Sequence, residues 1–333
     1  SLDVVGIGVG VGYSRSESIA TVTLETGATI TAGHSVQIAA DAANSSTMTV
    51  IVGDYSKIPL HVGVGVSELY TTAAVNVNSG TIITASTGDV DLRASHVKDL
   101  ITKVKASDDF SPVAISVAYS ESDTSARVTV DGTVISTLGH VSVVALSESN
   151  RSDVRAESAI GTGFVKQGLR DSFDKINPTK RVQAGITKAL GEAIAKFIPA
   201  LNADAKPSAS EKFKKLGASF GVAISDQTNA ASTIIGSTAN ISAGQAVTVH
   251  AGIVDRPGMS ATATVEAGKS KTDKEKTPKQ YAGAVAFSMG NFTNTATADV
   301  LANAQIDAKQ ELTVSAKTII PYDAPFERVV SLV

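Results

Sequence analysis

The chain reads as an all-β protein, a parallel β-solenoid interrupted by an α-helical insertion. Three observations lead there. The 22-residue stretch from Ser125 to Leu146 holds three short β-type runs, separated by Asp131-Gly132 and by Leu138-Gly139-His140, and imperfect copies of it begin near Ile19, Thr72, Asn229 and Asn294. Matching the third run across these copies aligns Val36, Val90, Val141, Val247 and Leu312 at spacings of 54, 51, 106 and 65, an underlying period of about 52 residues. Composition agrees, because Trp and Cys are absent and aromatic residues are only 5 %, so a core must be built from small and β-branched side chains in thin regular layers. A repeat array needs no division into globular domains, since each unit buries its apolar face on its neighbours.

Each of the five units opens with a strand in which bulky and tiny residues alternate with the period of two that separates sheet faces. Val5, Ile7, Val9 and Val11 alternate with glycines; Val62, Val64 and Val66 with Gly63, Gly65 and Ser67; Val113, Ile115 and Val117 with Ala114, Ser116 and Ala118. Phe220, Val222 and Ile224, then Val285, Phe287 and Met289, repeat the pattern. Glycine recurring on one face implies that the strand bends there or that something approaches that face closely, either backbone inside the solenoid or a partner on a flat docking surface. A polar stretch, the three-run core and a Ser/Ala/Thr-rich return follow. Turn residues stand where such a unit needs them: Thr26-Gly27, Ser79-Gly80 and Asp131-Gly132 between the first two runs, and Gly33, Gly88, Gly139 and Gly244 before the third. Because β-solenoid coils usually take roughly 20 to 30 residues, one unit is expected to make two coils, or three shorter ones.

The two long spacings locate two insertions at one point of the unit, just ahead of the alternating strand. Gly268 to Gln280 carries five Lys against one Asp and one Glu and reads as a basic loop. In 162–215 the period becomes that of a helix, with Val182, Ile186, Leu190, Ile194, Phe197 and Leu201 three or four residues apart. An earlier helix is expected around Phe164 to Ile176 and a short one after Ser208, whose Glu211 completes a capping box. The organisation is therefore repeats over 1–161, a helical insertion over 162–215, and repeats resuming over 216–333. From Phe164 to Lys215 the net charge is +6, eleven Lys and Arg against five Asp and Glu, whereas the whole chain is -3; the rest is then -9. This predicts an acidic rod with a basic edge, where Lys180, Arg181, Lys188, Lys196, Lys269, Lys271 and Lys274 would meet a polyanion or an anionic membrane surface.

Catalytic and metal motifs are weak throughout. Asp89 and Asp91 alternate on one strand and Asp108-Asp109 fill a junction, and all four read as turn or solvent-facing residues. His34 and His140 occupy the same turn two units apart, too far to share a metal. The glycine-rich calcium nonapeptide is missing, and Gly6 to Gly12 lacks the Lys-Ser/Thr ending of a phosphate loop. No catalytic residue, metal ligand or cofactor is expected, nor a nucleic-acid partner. No apolar run reaches the roughly 20 residues of a membrane-spanning helix, and the chain reads as a piece of something longer.

Strands of the form GVGVxVS or AVAFSxGN followed by TxAxVxxxGxIxAxGxVxVxAxS, carried here by Val62 to Leu92, Pro112 to Leu146 and Tyr281 to Ser315, resemble the repetitive passengers of giant bacterial surface exoproteins of the filamentous-haemagglutinin-like and autotransporter type. The resemblance covers nearly everything except the two insertions. It implies a right-handed parallel β-helix, an extracellular or cell-surface setting, and a structural or adhesive role toward host or bacterial surface proteins or glycans. The alternatives are a carbohydrate-active β-helix enzyme, a polysaccharide lyase or hydrolase, and a segment of a secreted toxin.

Overall fold

A computed structural model describes residues 7–53, 60–108, 113–160, 216–265 and 281–321. Among the described residues sixteen strands pass through three parallel sheets in the same order in every unit. The first circuit is β1 (Ile7–Leu24), β2 (Thr29–Ala32) and β3 (Val36–Gly53); the second is β4 (Leu60–Val77), β5 (Ile82–Ala85) and β6 (Val90–Asp108); the third is β7 (Val113–Val130), β8 (Thr133–Ser136) and β9 (Val141–Ile160). The fourth is β10 (Leu216–Ile235), β11 (Asn240–Ala243), β12 (Val247–Val254) and β13 (Pro257–Val265), and the fifth is β14 (Tyr281–Val300), β15 (Gln305–Ala308) and β16 (Leu312–Ile319). The first sheet runs β1-β4-β7-β10-β14, the short second sheet β2-β5-β8-β11-β15, and the third β3-β6-β9-β12-β16, with β13 continuing beside β9.

Registers reproduce the alignment read from the sequence, pairing Val36 with Val90, Val90 with Val141, Val141 with Val247 and Val247 with Leu312. The expected division of each unit into two coils is wrong. Leu60 pairs with Ile7 and Val113 with Leu60, so about 53 residues make one circuit through all three sheets. The reason is strand length: the alternating strand, the polar stretch and the first core run form one continuous strand of 18 to 20 residues, and the third run and its return form another. The turns fall as expected, and Gly27 and Gly80 adopt φ of 82° and 77°, a left-handed conformation that side chains disfavour.

The two long sheets face each other, and the short sheet joins them at one end. Across the interior, Ser14 meets Ser46 at 2.8 Å and Thr102 donates to Ser67 at 2.8 Å. Many inward rows are of like chemistry, although Ser16, Leu69, Ser122, Gln227 and Phe292 form a mixed one. Near the short sheet the rows are apolar, such as Ile30, Ile83, Val134, Ile241 and Ile306, and the next rows are alanines, Ala20, Ala73, Ala126, Ala231 and Ala296. A polar row follows, Ser14, Ser67, Ser120 and Ser225, and beyond it lies a second apolar zone of Val50, Val52, Val104, Val154 and Ala223.

A strand advances about 3.3 Å per residue and neighbouring strands lie about 4.8 Å apart. The described body is therefore about 60 Å along its strands and only about 25 Å along the stacking direction, so the expected rod is a plank wider than it is tall. No helix occurs among the described residues; the helical insertion expected over 162–215 and the basic loop expected over 268–280 both lie outside them.

Candidate interaction surface

The alternating strands settle which face is which. Tiny residues point inward: a Cβ added to Gly65 would come within 2.6 Å of Val104, and one added to Gly10 would collide with Val52. Close packing inside the body is thus the role of the glycine face, and the bulky residues point outward. Three rows result on the first sheet: Val9, Val62, Ile115, Phe220 and Val285; Val11, Val64, Val117, Val222 and Phe287; Tyr13, Val66, Tyr119, Ile224 and Met289. Their members on the three inner strands pack together as one cluster separate from the interior.

The next outward row is Arg15, Glu68, Glu121, Asp226 and Asn291. Like charges stacked in register repel, and the row softens this with neutral donors: the Tyr13 hydroxyl donates to Glu68 at 3.0 Å, Tyr119 to Glu121 at 3.2 Å, Tyr70 to Glu121 at 3.4 Å and the Asn291 amide to Asp226 at 3.1 Å. Arg15 lies over the Tyr70 ring, 5.1 Å from its centre. Burial, and after it the Glu121 carboxylate, hold the Tyr70 and Tyr119 hydroxyls above their ordinary pKa. The outer face of the third sheet differs, because its acids meet arginines: Asp153 binds Arg151 and Arg155 at 2.9 and 2.8 Å, and Arg93 reaches Asp41 at 2.8 Å.

Among the described residues the interior holds a cationic cluster. Lys98 is fully buried and donates to Ser122 at 3.0 Å, Gln227 at 2.9 Å and Asn229 at 2.6 Å. Asn229 donates in turn to Asn294 at 2.6 Å, which donates to Asp255 at 3.1 Å. Burial lowers the Lys98 pKa to about 8 despite the attraction of Asp255, and burial followed by Lys98 lowers that of neighbouring His96 to about 4. Both ring nitrogens of His96 are buried without a hydrogen-bond partner. A register slip stands beside the cluster: Lys98 pairs with Ser149 but Asp99 with Arg151, leaving Asn150 as an extra residue on β9.

Of the residues singled out in the sequence, Lys180, Arg181, Lys188, Lys196, Lys269, Lys271 and Lys274 all lie outside the described residues, as do the side chains of Asp108 and Asp109. Asp89 closes a turn by accepting the His140 backbone N–H at 2.7 Å, and Asp91 sits on the outer face between inward Val90 and Leu92. His34 bonds Thr87 at 2.9 Å. Among the described residues no three His, Asp or Glu side chains converge as metal ligands. A cavity of about 320 Å³ is lined by Lys105, Glu157, Thr262 and Thr264 among others, with one carboxylate. Glu68, Glu121 and Asp226 were missed in the sequence, although each stands two residues beyond the last bulky member of an alternating strand. Lys98 was missed because its inward position depends on strand parity.

Comparison of the chain with protein-family models, with curated proteins and with solved structures finds no match in any of the three. No described helix is long and apolar enough to cross a membrane.

Proposed function

We propose that the chain is a segment of a right-handed parallel β-helix from a secreted or cell-surface bacterial exoprotein, in a structural and adhesive role. The observation that carries this reading is the row-by-row stacking of five circuits through three parallel sheets. Parallel crossovers are right-handed in nearly all proteins, which supports the hand. A stack of this kind is stiff along its axis, and every circuit adds about 4.8 Å to it. The connection between Ile160 and Leu216 and that between Val265 and Tyr281 leave from the same edge, so both basic segments attach there. The adhesive contact is assigned to that edge, with host or bacterial surface proteins or glycans as partners.

Two measurements test this. X-ray scattering in solution should give a plank with a maximum dimension of about 60 to 75 Å, and a sphere-like envelope would refute the architecture. Binding to anionic glycans should weaken as salt rises from 50 to 500 mM and vanish when Phe164 to Lys215 is deleted; adhesion undiminished by the deletion would remove the contact role from that segment.

A further inference from the structure

We propose that Lys98 and Asn229 are the two halves of an internal cross-link, a Lys–Asn isopeptide bond that the folded chain forms by itself with loss of ammonia. Lys98 is on β6 in the third sheet and Asn229 on β10 in the first, 131 positions apart in the chain, yet Lys98 Nζ lies 2.6 Å from Asn229 Oδ1. Both side chains are buried, at 0 % and 1 % exposure. The fold thus holds an amine against the amide carbonyl it would attack, in an interior that has closed around both.

Each group that the reaction needs is in place. The nucleophile is a lysine whose three acceptors, Ser122, Gln227 and Asn229, are all neutral, so no direct ion pair offsets its burial and the free amine is favoured. Its lowered pKa of about 8 expresses this. The electrophile is polarised from a second side, because the Thr124 hydroxyl donates to Asn229 Oδ1 at 2.8 Å. That donor remains to hold the oxyanion when the lysine turns from hydrogen-bond donor to nucleophile. The leaving nitrogen, Asn229 Nδ2, donates to Asn294 Oδ1 at 2.6 Å, and Asn294 donates to Asp255 Oδ2 at 3.1 Å. Asp255 is fully buried and its Oδ1 has no hydrogen-bond partner. Leu100, two residues along β6, and Leu69, paired with Ser122, are both fully buried and keep water from the site. Gln227 also offers its oxygen to Lys98, at 2.9 Å, but its nitrogen donates to the Ser225 hydroxyl at 2.7 Å rather than to the amide chain that ends on Asp255.

The protons balance with these groups alone. One passes from the Lys98 ammonium to the Asp255 carboxylate, and the free amine adds to Asn229 Cγ. As the Cγ–Nδ2 bond breaks, the second amine proton and the one held by Asp255 go to the departing nitrogen. It leaves as ammonium, Asp255 is a carboxylate again, and a neutral amide replaces a buried charge. Lys98 therefore titrates only in the chain whose bond has not yet closed. The inference is independent of the adhesive reading and holds whether or not the protein binds a surface.

Mass spectrometry of the unaltered, folded full chain tests it. The intact mass should fall below that of the sequence by one ammonia, and a protease digest should contain a branched peptide joining Lys98 to Asn229. Lys98→Met and Asn229→Ala should each restore the full mass. In chain purified unfolded and then refolded, Asp255→Asn should slow closure of the bond at least about 10-fold. A folded chain of full mass overturns the proposal. So does a loss of ammonia that survives Lys98→Met, which would mark a succinimide, or a branched peptide that joins Lys98 to Gln227. Closure at an unchanged rate in Asp255→Asn removes the carboxylate from the mechanism. Mass and digest are read on the unaltered chain, so the outcome stands even where a variant fails to fold.

Discussion

Replacing Gly221 with Ala tests the assignment of inside and outside most directly. Gly221 is on β10 between inward Ser219 and Ala223, and a Cβ there would lie 2.6 Å from the carbonyl oxygen of Thr262 and 3.2 Å from that of Ala156. Both obstacles are backbone of the facing sheet, so no side chain can rotate away. Relief requires the two sheets to separate locally by about half an ångström to one ångström, and overpacking of that kind costs about 1–3 kcal/mol. Against it works the usual gain of about 0.5–1 kcal/mol from replacing glycine in a strand. The net expectation is a loss of about 1–2 kcal/mol, read as a lower urea midpoint with unchanged slope. Gly283, on the outer side of the same sheet with nothing within 4 Å of its added Cβ, provides the control, and Gly283→Ala should be neutral or slightly stabilising. If Gly221→Ala were as harmless as Gly283→Ala, the tiny residues would not face the third sheet and the inward-outward assignment would fall.

Two further outcomes concern the buried titratable groups His96 and Lys98. His96 titrates at about 4 when folded against an ordinary 6.5, so below pH 6.5 the unfolded chain binds more protons and stability falls toward pH 4, by up to about 3 kcal/mol. His96→Leu should remove that acid sensitivity in urea unfolding at pH 5 while changing stability little at pH 8. Lys98 is lowered to about 8 from 10.5, so between these values the unfolded chain again holds more protons and stability should rise with pH. Lys98→Met should flatten that rise. At pH 7 it should cost about 1–2 kcal/mol, because the Gln227 oxygen loses its donor while Asn229 keeps the Thr124 hydroxyl at 2.8 Å.

Much of the architecture was legible because a parallel stack repeats its chemistry with its register. Val36, Val90, Val141, Val247 and Leu312 align in sequence for the same reason that they pair in space, and insertions announce themselves as excess spacing. The continuity of the long strands was not legible, because Ser14, Ser16 and Ser18 read as a polar break although they line an interior where hydroxyls bond across the sheets. Nor does alternation carry a sign. A period of two separates Val62 from Gly63 but does not say which is inside; that is decided by Val104, some 40 residues later, arriving opposite Gly63 and leaving no room for a side chain. The carboxylate row was invisible until register placed Glu68, Glu121 and Asp226 side by side.

The rows of like residues make every circuit a gauge for the next. Sliding one circuit by two residues would break the alanine row Ala20, Ala73 and Ala126 and the serine row Ser14, Ser67 and Ser120 together, so the registered position is the one in which these rows align. Where β9 holds one residue too many, the excess is expelled as Asn150 and the rows resume beyond it. At the edge between third-sheet and first-sheet strands no row is interrupted, whether the link is six residues, as at 54–59, or fifty-five, as at 161–215. Foreign sequence grafted there would leave the alignment intact, whereas one residue added within a strand would have to be bulged out or would misalign everything after it.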